Sequence, residues 1–213
     1  MYTVRIPAPV PALFRGITWR IPGDARAVHI TFDDGPVPEV TPWVLDLLRA
    51  HDAKATFFCV GANAAAHPQL MDRIRGEGHT VGNHTWGHRD GWRTAHGVYL
   101  RDVARCQVFT RTALFRPPYG RITPRLTRAL RAKYRLVMWD VLSGDFDTAI
   151  DGERCLHNVI DNVRPGSIVV FHDSVKAWDR LRYALPEALR SLKESGYRFP
   201  AIPEDMGVTA RSR

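Results

Sequence analysis

Thr31-Phe32-Asp33-Asp34-Gly35-Pro36 is the most informative run in the chain. The residues leading into it, Ala27-Val28-His29-Ile30, set apolar side chains at alternate positions through Phe32. That two-residue period, with β-branched members, predicts a strand, and Gly35-Pro36 predicts its end. Two neighbouring carboxylates at the end of a buried strand repel each other, and burial penalises both charges. A bound cation is the simplest compensation. A turn needs only one acid, so two imply a division of labour between a metal ligand and a proton carrier. Taken alone, the run also fits a surface turn, because Asp, Gly and Pro all favour turns. The other clusters along the chain weigh against that.

Short apolar runs at residues 56–60, 79–84, 113–115, 135–139 and 167–171 predict further strands, with a last one over 197–202. Between them lie helical stripes: Val44, Leu45, Leu47 and Leu48 behind Thr41-Pro42; Leu70, Met71 and Ile74; Tyr99, Val103 and Cys106; and Leu181, Leu185, Leu189 and Leu192, broken by Pro186. Thr41 and Thr123, each followed by proline, read as helix caps, and Asp151 as the start of a further helix. Strands alternating with helices about seven times imply parallel strands with right-handed crossovers. The pattern suits an incomplete or distorted α/β barrel or an open doubly wound sheet. In both, sites gather at the carboxyl ends of the strands, where the polar clusters fall.

The 213 residues, 45% of them hydrophobic, suit a single α/β barrel. Lys and Arg number 30 against 22 acids, but the basic residues are scattered through helical stretches, which predicts a solvated arginine-rich surface and no nucleic-acid partner. Cys59, Cys106 and Cys155 are odd in number and far apart, so they read as core residues in a reducing compartment. Prolines at 7, 9 and 11 and the lack of an apolar run near the start predict neither a signal peptide nor a membrane helix. The expectation is a cytoplasmic monomer with an N-terminal extension over 1–26, a catalytic domain over 27–203 and a tail over 204–213.

Chemistry-bearing residues recur after the predicted strands. In Asn83-His84-Thr85-Trp86-Gly87-His88, two histidines four apart can face one ion, and with Asp34 they offer two imidazoles and a carboxylate. Arg116 in Arg116-Pro117-Pro118-Tyr119 can pair with a carboxylate and keep it ionised. The prolines stiffen a backbone that can aim the Tyr119 N–H at a developing oxyanion. In Val169-Val170-Phe171-His172, the histidine ends an apolar strand; a buried carboxylate beside it raises its pKa and makes it a general acid. Asp145 is the chosen partner, and Asp173 is read as a cap or turn residue.

These five clusters, in this order and spacing, resemble the motifs of NodB-type polysaccharide deacetylases, carbohydrate esterase family 4. The resemblance runs from about Ala27 to Ile202. It implies a distorted, incomplete (β/α) barrel, one divalent metal (zinc first, with cobalt, nickel or manganese as alternatives) and removal of N-acetyl groups from hexosamines of an N-acetylated glycan. It further implies Asp33 as general base, Asp34, His84 and His88 as metal ligands, Arg116 as the tether of Asp33, Tyr119 as a backbone oxyanion donor, and His172 as general acid oriented by Asp145. Phe146 and Val170 depart from the Trp and Leu usual in the family and bear on substrate fit. A metal-dependent amidase acting on a non-carbohydrate amide and a non-catalytic glycan-binding protein are the alternatives.

Overall fold

A computed structural model describes residues 2–204. Nine of the ten residues of the expected tail, 205–213, lie outside the described residues. Seven strands, β1 (His29–Asp33), β2 (Ala55–Cys59), β3 (Thr80–Asn83), β4 (Leu114–Phe115), β5 (Arg135–Leu136), β6 (Val141–Leu142) and β7 (Ile168–His172), form one sheet in the order β5-β4-β3-β2-β1-β7-β6. Every pairing is parallel.

That order separates the barrel from the flat sheet. The two edge strands, β5 and β6, are consecutive in the chain, joined only through residues 137–140. Five Cα steps reach at most about 18 Å, whereas the edges of a flat seven-stranded sheet stand about 29 Å apart. The sheet must therefore curl until its edges approach, giving the distorted half-barrel. Segment 2–22 lies along the seam. Leu142 N donates to Val4 O (2.8 Å), Ile6 N to Asp140 O (3.0 Å), Thr18 N to Leu136 O (2.8 Å) and Ile21 N to Gly166 O (2.8 Å). Asp140, which follows Trp139, also serves this seam: its buried carboxylate accepts from Arg164 (2.8 and 3.0 Å) and from Ser167 Oγ (2.7 Å).

The described residues include eight helices, α1 (Pro9–Leu13), α2 (Thr41–Ala50), α3 (Gly61–Ala66), α4 (Pro68–Gly76), α5 (His96–Thr110), α6 (Pro124–Leu130), α7 (Gly152–Ile160) and α8 (Trp178–Glu194), and all but α1 bury part of their surface. The largest core lies between β1, β2 and β7 and the inner stripes of α2 and α8, where Phe32 stacks between Phe57 and Phe171. β1 is buried on both faces, as a central parallel strand must be: Ile30 and Phe32 face that core, and Thr31 and Asp33 face the barrel interior.

Several expectations are corrected. Thr41 is not a cap. The helix starts at Thr41 itself, and its hydroxyl donates to Asp173 (2.6 Å) while accepting from Val37 N (2.7 Å). Helix α8 runs through Pro186, because its buried leucine stripe holds it on the sheet despite one missing hydrogen bond. Residues 197–202 form no strand: β1 and β2 already have neighbours on both sides, so the segment instead ties their starts, with Val28 N donating to Arg198 O (2.9 Å) and Ile202 N to Thr56 Oγ1 (2.9 Å). The three cysteines are buried and free. Among the described residues no helix is long and apolar enough to cross a membrane.

Candidate active site

The barrel interior is organised by Arg116, which follows β4 and is wholly buried. Its guanidinium lies over the Phe58 ring (4.0 Å). It donates to Asp33 Oδ1 (2.7 Å), Thr31 Oγ1 (2.8 Å), Val137 O (3.3 Å) and Met138 O (2.9 Å). A buried cation needs such pairing and saturation with acceptors. The arrangement fixes Asp33 at the carboxyl end of β1, with only Oδ2 left toward the mouth.

Next door, Asp34 turns away from the strand with φ +83°. The turn is held from just beyond β7: Asp173 accepts from Gly35 N (3.0 Å) and from Thr41 Oγ1 (2.6 Å), so it braces a turn distant in sequence and not one of its own. His84 leaves the end of β3 and donates Nδ1–H to Arg116 O (2.8 Å), an acceptor only, so its Nε2 lone pair faces the site. Burial pushes the His84 pKa down to about 4 against the pull of Asp33, so the ring is neutral near pH 7, as a metal ligand must be. The Nε2 atoms of His84 and His88 lie 3.8 and 3.1 Å from Asp34 Oδ1. Burial opposes ionisation of Asp34, but the imidazoles of His88, His172 and His84 outweigh it and hold its carboxyl below the usual range.

One ligand atom from each of Asp34, His84 and His88 lies within 4.8 Å of the others. Asp34 Oδ1 is buried without a well-directed hydrogen bond. An orphaned carboxylate oxygen facing two imidazole nitrogens is a donor set suited to a divalent ion of the zinc type.

His172 ends β7 and is paired with Asp33 in the β1–β7 ladder. Paired residues of a parallel ladder share a face about 4.8 Å apart, so both look into the same mouth. Asp145, beyond β6 and fully buried, accepts from His172 twice, from Nδ1 (2.7 Å) and from the backbone N (2.7 Å). Burial works against a charged ring, but the Asp145 carboxylate overrides it and pushes the His172 pKa up to about 9.

The chain matches the family described as polysaccharide deacetylase over residues 20–137. It is 36% identical over 195 residues to a peptidoglycan-N-acetylglucosamine deacetylase of Bacillus cereus, covering 88% of this chain and 92% of that one. The chain belongs to the polysaccharide deacetylase family. A chitooligosaccharide deacetylase of Azorhizobium caulinodans is 31% identical over 207 residues, 86% of this chain and 96% of the relative. The crystal structure of a peptidoglycan N-acetylglucosamine deacetylase with a bound naphthyl-substituted N-hydroxybenzamide superposes with a TM-score of 0.85, 30% identity, and coverage of 98% of this chain and 100% of that one.

In this polysaccharide deacetylase a cavity of about 570 Å³ opens at the mouth, lined by Asp33, Asp34, His84, His88, Tyr119 and His172 among others. Arg116 and Asp145 stand behind it, each holding a residue that lines it. Tyr119 departs from expectation in one respect. Its side chain also takes part, with Oη 3.1 Å from His88 Nδ1, while the turn's own hydrogen bonds run from Gly120 N and Arg121 N. Trp86 lies outside the cavity, under the Arg105 guanidinium and against Phe109. Six non-glycine residues among those described have positive φ; two of them, Asp34 and His88, are candidate ligands, Thr85 follows the third ligand His84, and Tyr119 stands beside His88. Such torsions cost about 1–3 kcal/mol each and persist where the surroundings enforce them. Tyr2, which also lines the cavity, escaped the sequence reading. The signal was present: Tyr2, Val4 and Ile6 alternate with Thr3 and Arg5, a strand pattern in front of the prolines.

Proposed function

We propose that the protein is a metal-dependent hydrolase that removes N-acetyl groups from hexosamine residues of a poly- or oligosaccharide. The observation that carries this is the pairing of Asp33 and His172 across β1 and β7, each held by its own buried ion pair, beside the Asp34–His84–His88 triangle. A divalent ion held by those three, zinc by the donor set, supplies Lewis acidity at the acyl carbonyl and lowers the pKa of water from 15.7 toward roughly 7.

Asp33 is the general base. Arg116 holds its Oδ1 and leaves Oδ2 to take a proton from water as the water oxygen bonds to the acyl carbon. The Tyr119 N–H stabilises the negative charge growing on the acyl oxygen. His172, already charged at neutral pH because of Asp145, gives its Nε2 proton to the amide nitrogen as the C–N bond breaks. The products are acetate and the free amine. Without that proton the adduct would expel water again, since an amide anion is a far worse leaving group.

The names of the relatives support N-acetylglucosamine polymers, peptidoglycan or chitooligosaccharide, as substrates. The test is acetate release from chitooligosaccharides and peptidoglycan fragments by protein treated with a chelator, then resupplied with Zn²⁺, Co²⁺, Ni²⁺ or Mn²⁺. Acetate release that disappears with the chelator and returns with an ion supports the proposal. Unaltered activity in chelator, or glycan binding without acetate from any substrate, rejects it.

A further inference from the structure

We infer that Tyr2, delivered by the N-terminal segment, is a specificity-determining residue that limits the length of the acyl group the cavity accepts; this rests on the deacetylase reading above. The cavity is two-sided. Carboxylates and imidazoles line one wall, and Leu142, Phe146, Val170 and Tyr2 contribute an apolar wall. An acyl group that turns its carbonyl to the polar wall must direct its alkyl end to the apolar one.

On that wall the residues are ordered. Phe146 sits edge-on to His172, with ring centroids 5.3 Å apart. Tyr2 sits on Phe146, with centroids 5.0 Å apart and planes at 58°. Tyr2 is thus one ring farther from the acid and forms the far end. It is held firmly. Leu142 N donates to Val4 O (2.8 Å), and Arg5 bridges Val141, so the segment is laid along β6. The Tyr2 hydroxyl seats against Gly144, where a Cβ would stand 2.5 Å from it and where φ is +81°. Only glycine suits that backbone and leaves room for the phenol. A rigid ring closing an apolar pocket discriminates by size, since one methylene in such a pocket is worth about 10–200-fold.

The test compares wild type, Tyr2→Ala and Tyr2→Phe, all loaded with Zn²⁺. The substrates are chitotetraose carrying N-acetyl groups and the same oligomer re-acylated with N-butyryl groups. Removing the ring is expected to raise the butyryl-to-acetyl ratio of kcat/KM about tenfold or more. Tyr2→Phe, which keeps the ring, is expected to hold the wild-type ratio within about twofold. Calorimetric titration with butyrate and acetate gives a readout independent of turnover, and Tyr2→Ala should gain affinity for butyrate relative to acetate. A ratio unmoved by Tyr2→Ala, or moved equally by both variants, overturns the assignment of Tyr2 while leaving the deacetylase reading intact. Wild type that releases neither acyl group overturns both.

Discussion

His172 and Asp145 form the pair proposed to deliver the proton, and their separate contributions can be measured. Replacing His172 by alanine should lower kcat by about 10²–10⁴-fold without loss of bound ion, because the ring is not one of the three candidate ligands. His84→Ala should lose ion and turnover together, as metal content by atomic absorption beside acetate release will show. Asp145→Asn removes the charge that raises the His172 pKa to about 9. An acid must be protonated to act, so the alkaline limb of the pH–rate profile should shift toward lower pH; a profile unchanged in position would assign the acid elsewhere. The place of His172 was legible because it ends a predicted strand, and parallel strands bring such positions to one edge; Asp145 was reached only through its motif, since it follows the unpredicted β6. The Tyr119 hydroxyl beside His88 was not legible, because that contact depends on a left-handed backbone at both residues.

Among the elements, six of the seven strands announce themselves by apolar runs, and β6 does not. β6 is too short for a period of two to register, so Val141-Leu142 passed as connection between two polar clusters. α3 starts at glycine and is nearly all alanine after Asn63, leaving no stripe to read. Residues 197–202 carried the opposite error, an apolar run that caps strands without being one. His79, just before β3, gives a test of how these elements hold together. Its Nδ1 accepts Ala55 N–H (3.1 Å), and burial pushes its pKa down to about 4. In the unfolded chain it titrates near 6.5. Between those values the unfolded chain binds the extra proton, so stability falls as pH drops from about 6.5 toward 4. His79→Asn offers an oxygen to the same N–H without titrating and should flatten that slope, measured as urea midpoints across the interval.

For the molecule as a whole, the N-terminal segment closes what the sheet leaves open. Deleting residues 2–22 should cost about 3 kcal/mol or more, the value of one or two large buried side chains, because Ile21 is lost from the cluster that also holds Val137 and Ile168. Chemical denaturation of the truncated chain checks this, and unchanged stability would make the segment a passive appendage. The barrel's curl was foreseeable in kind from alternating strands and helices. Its seam was not, because the edge order appears only once β5 and β6 are known to be sequential.

Arg116 has one more consequence. The cation that tethers the proposed proton acceptor is also the largest wholly buried side chain and fills the barrel's interior. Were Asp33 exchanged for alanine, that buried cation would lose its only carboxylate partner and keep Thr31 Oγ1, Val137 O and Met138 O, at a penalty of up to about 3–5 kcal/mol. A descendant abandoning hydrolysis by that route would give up a large share of its stability margin, about 5–15 kcal/mol for a domain. The proposed base and the packing of the barrel thus share one ion pair, and a lineage shedding the first weakens the second.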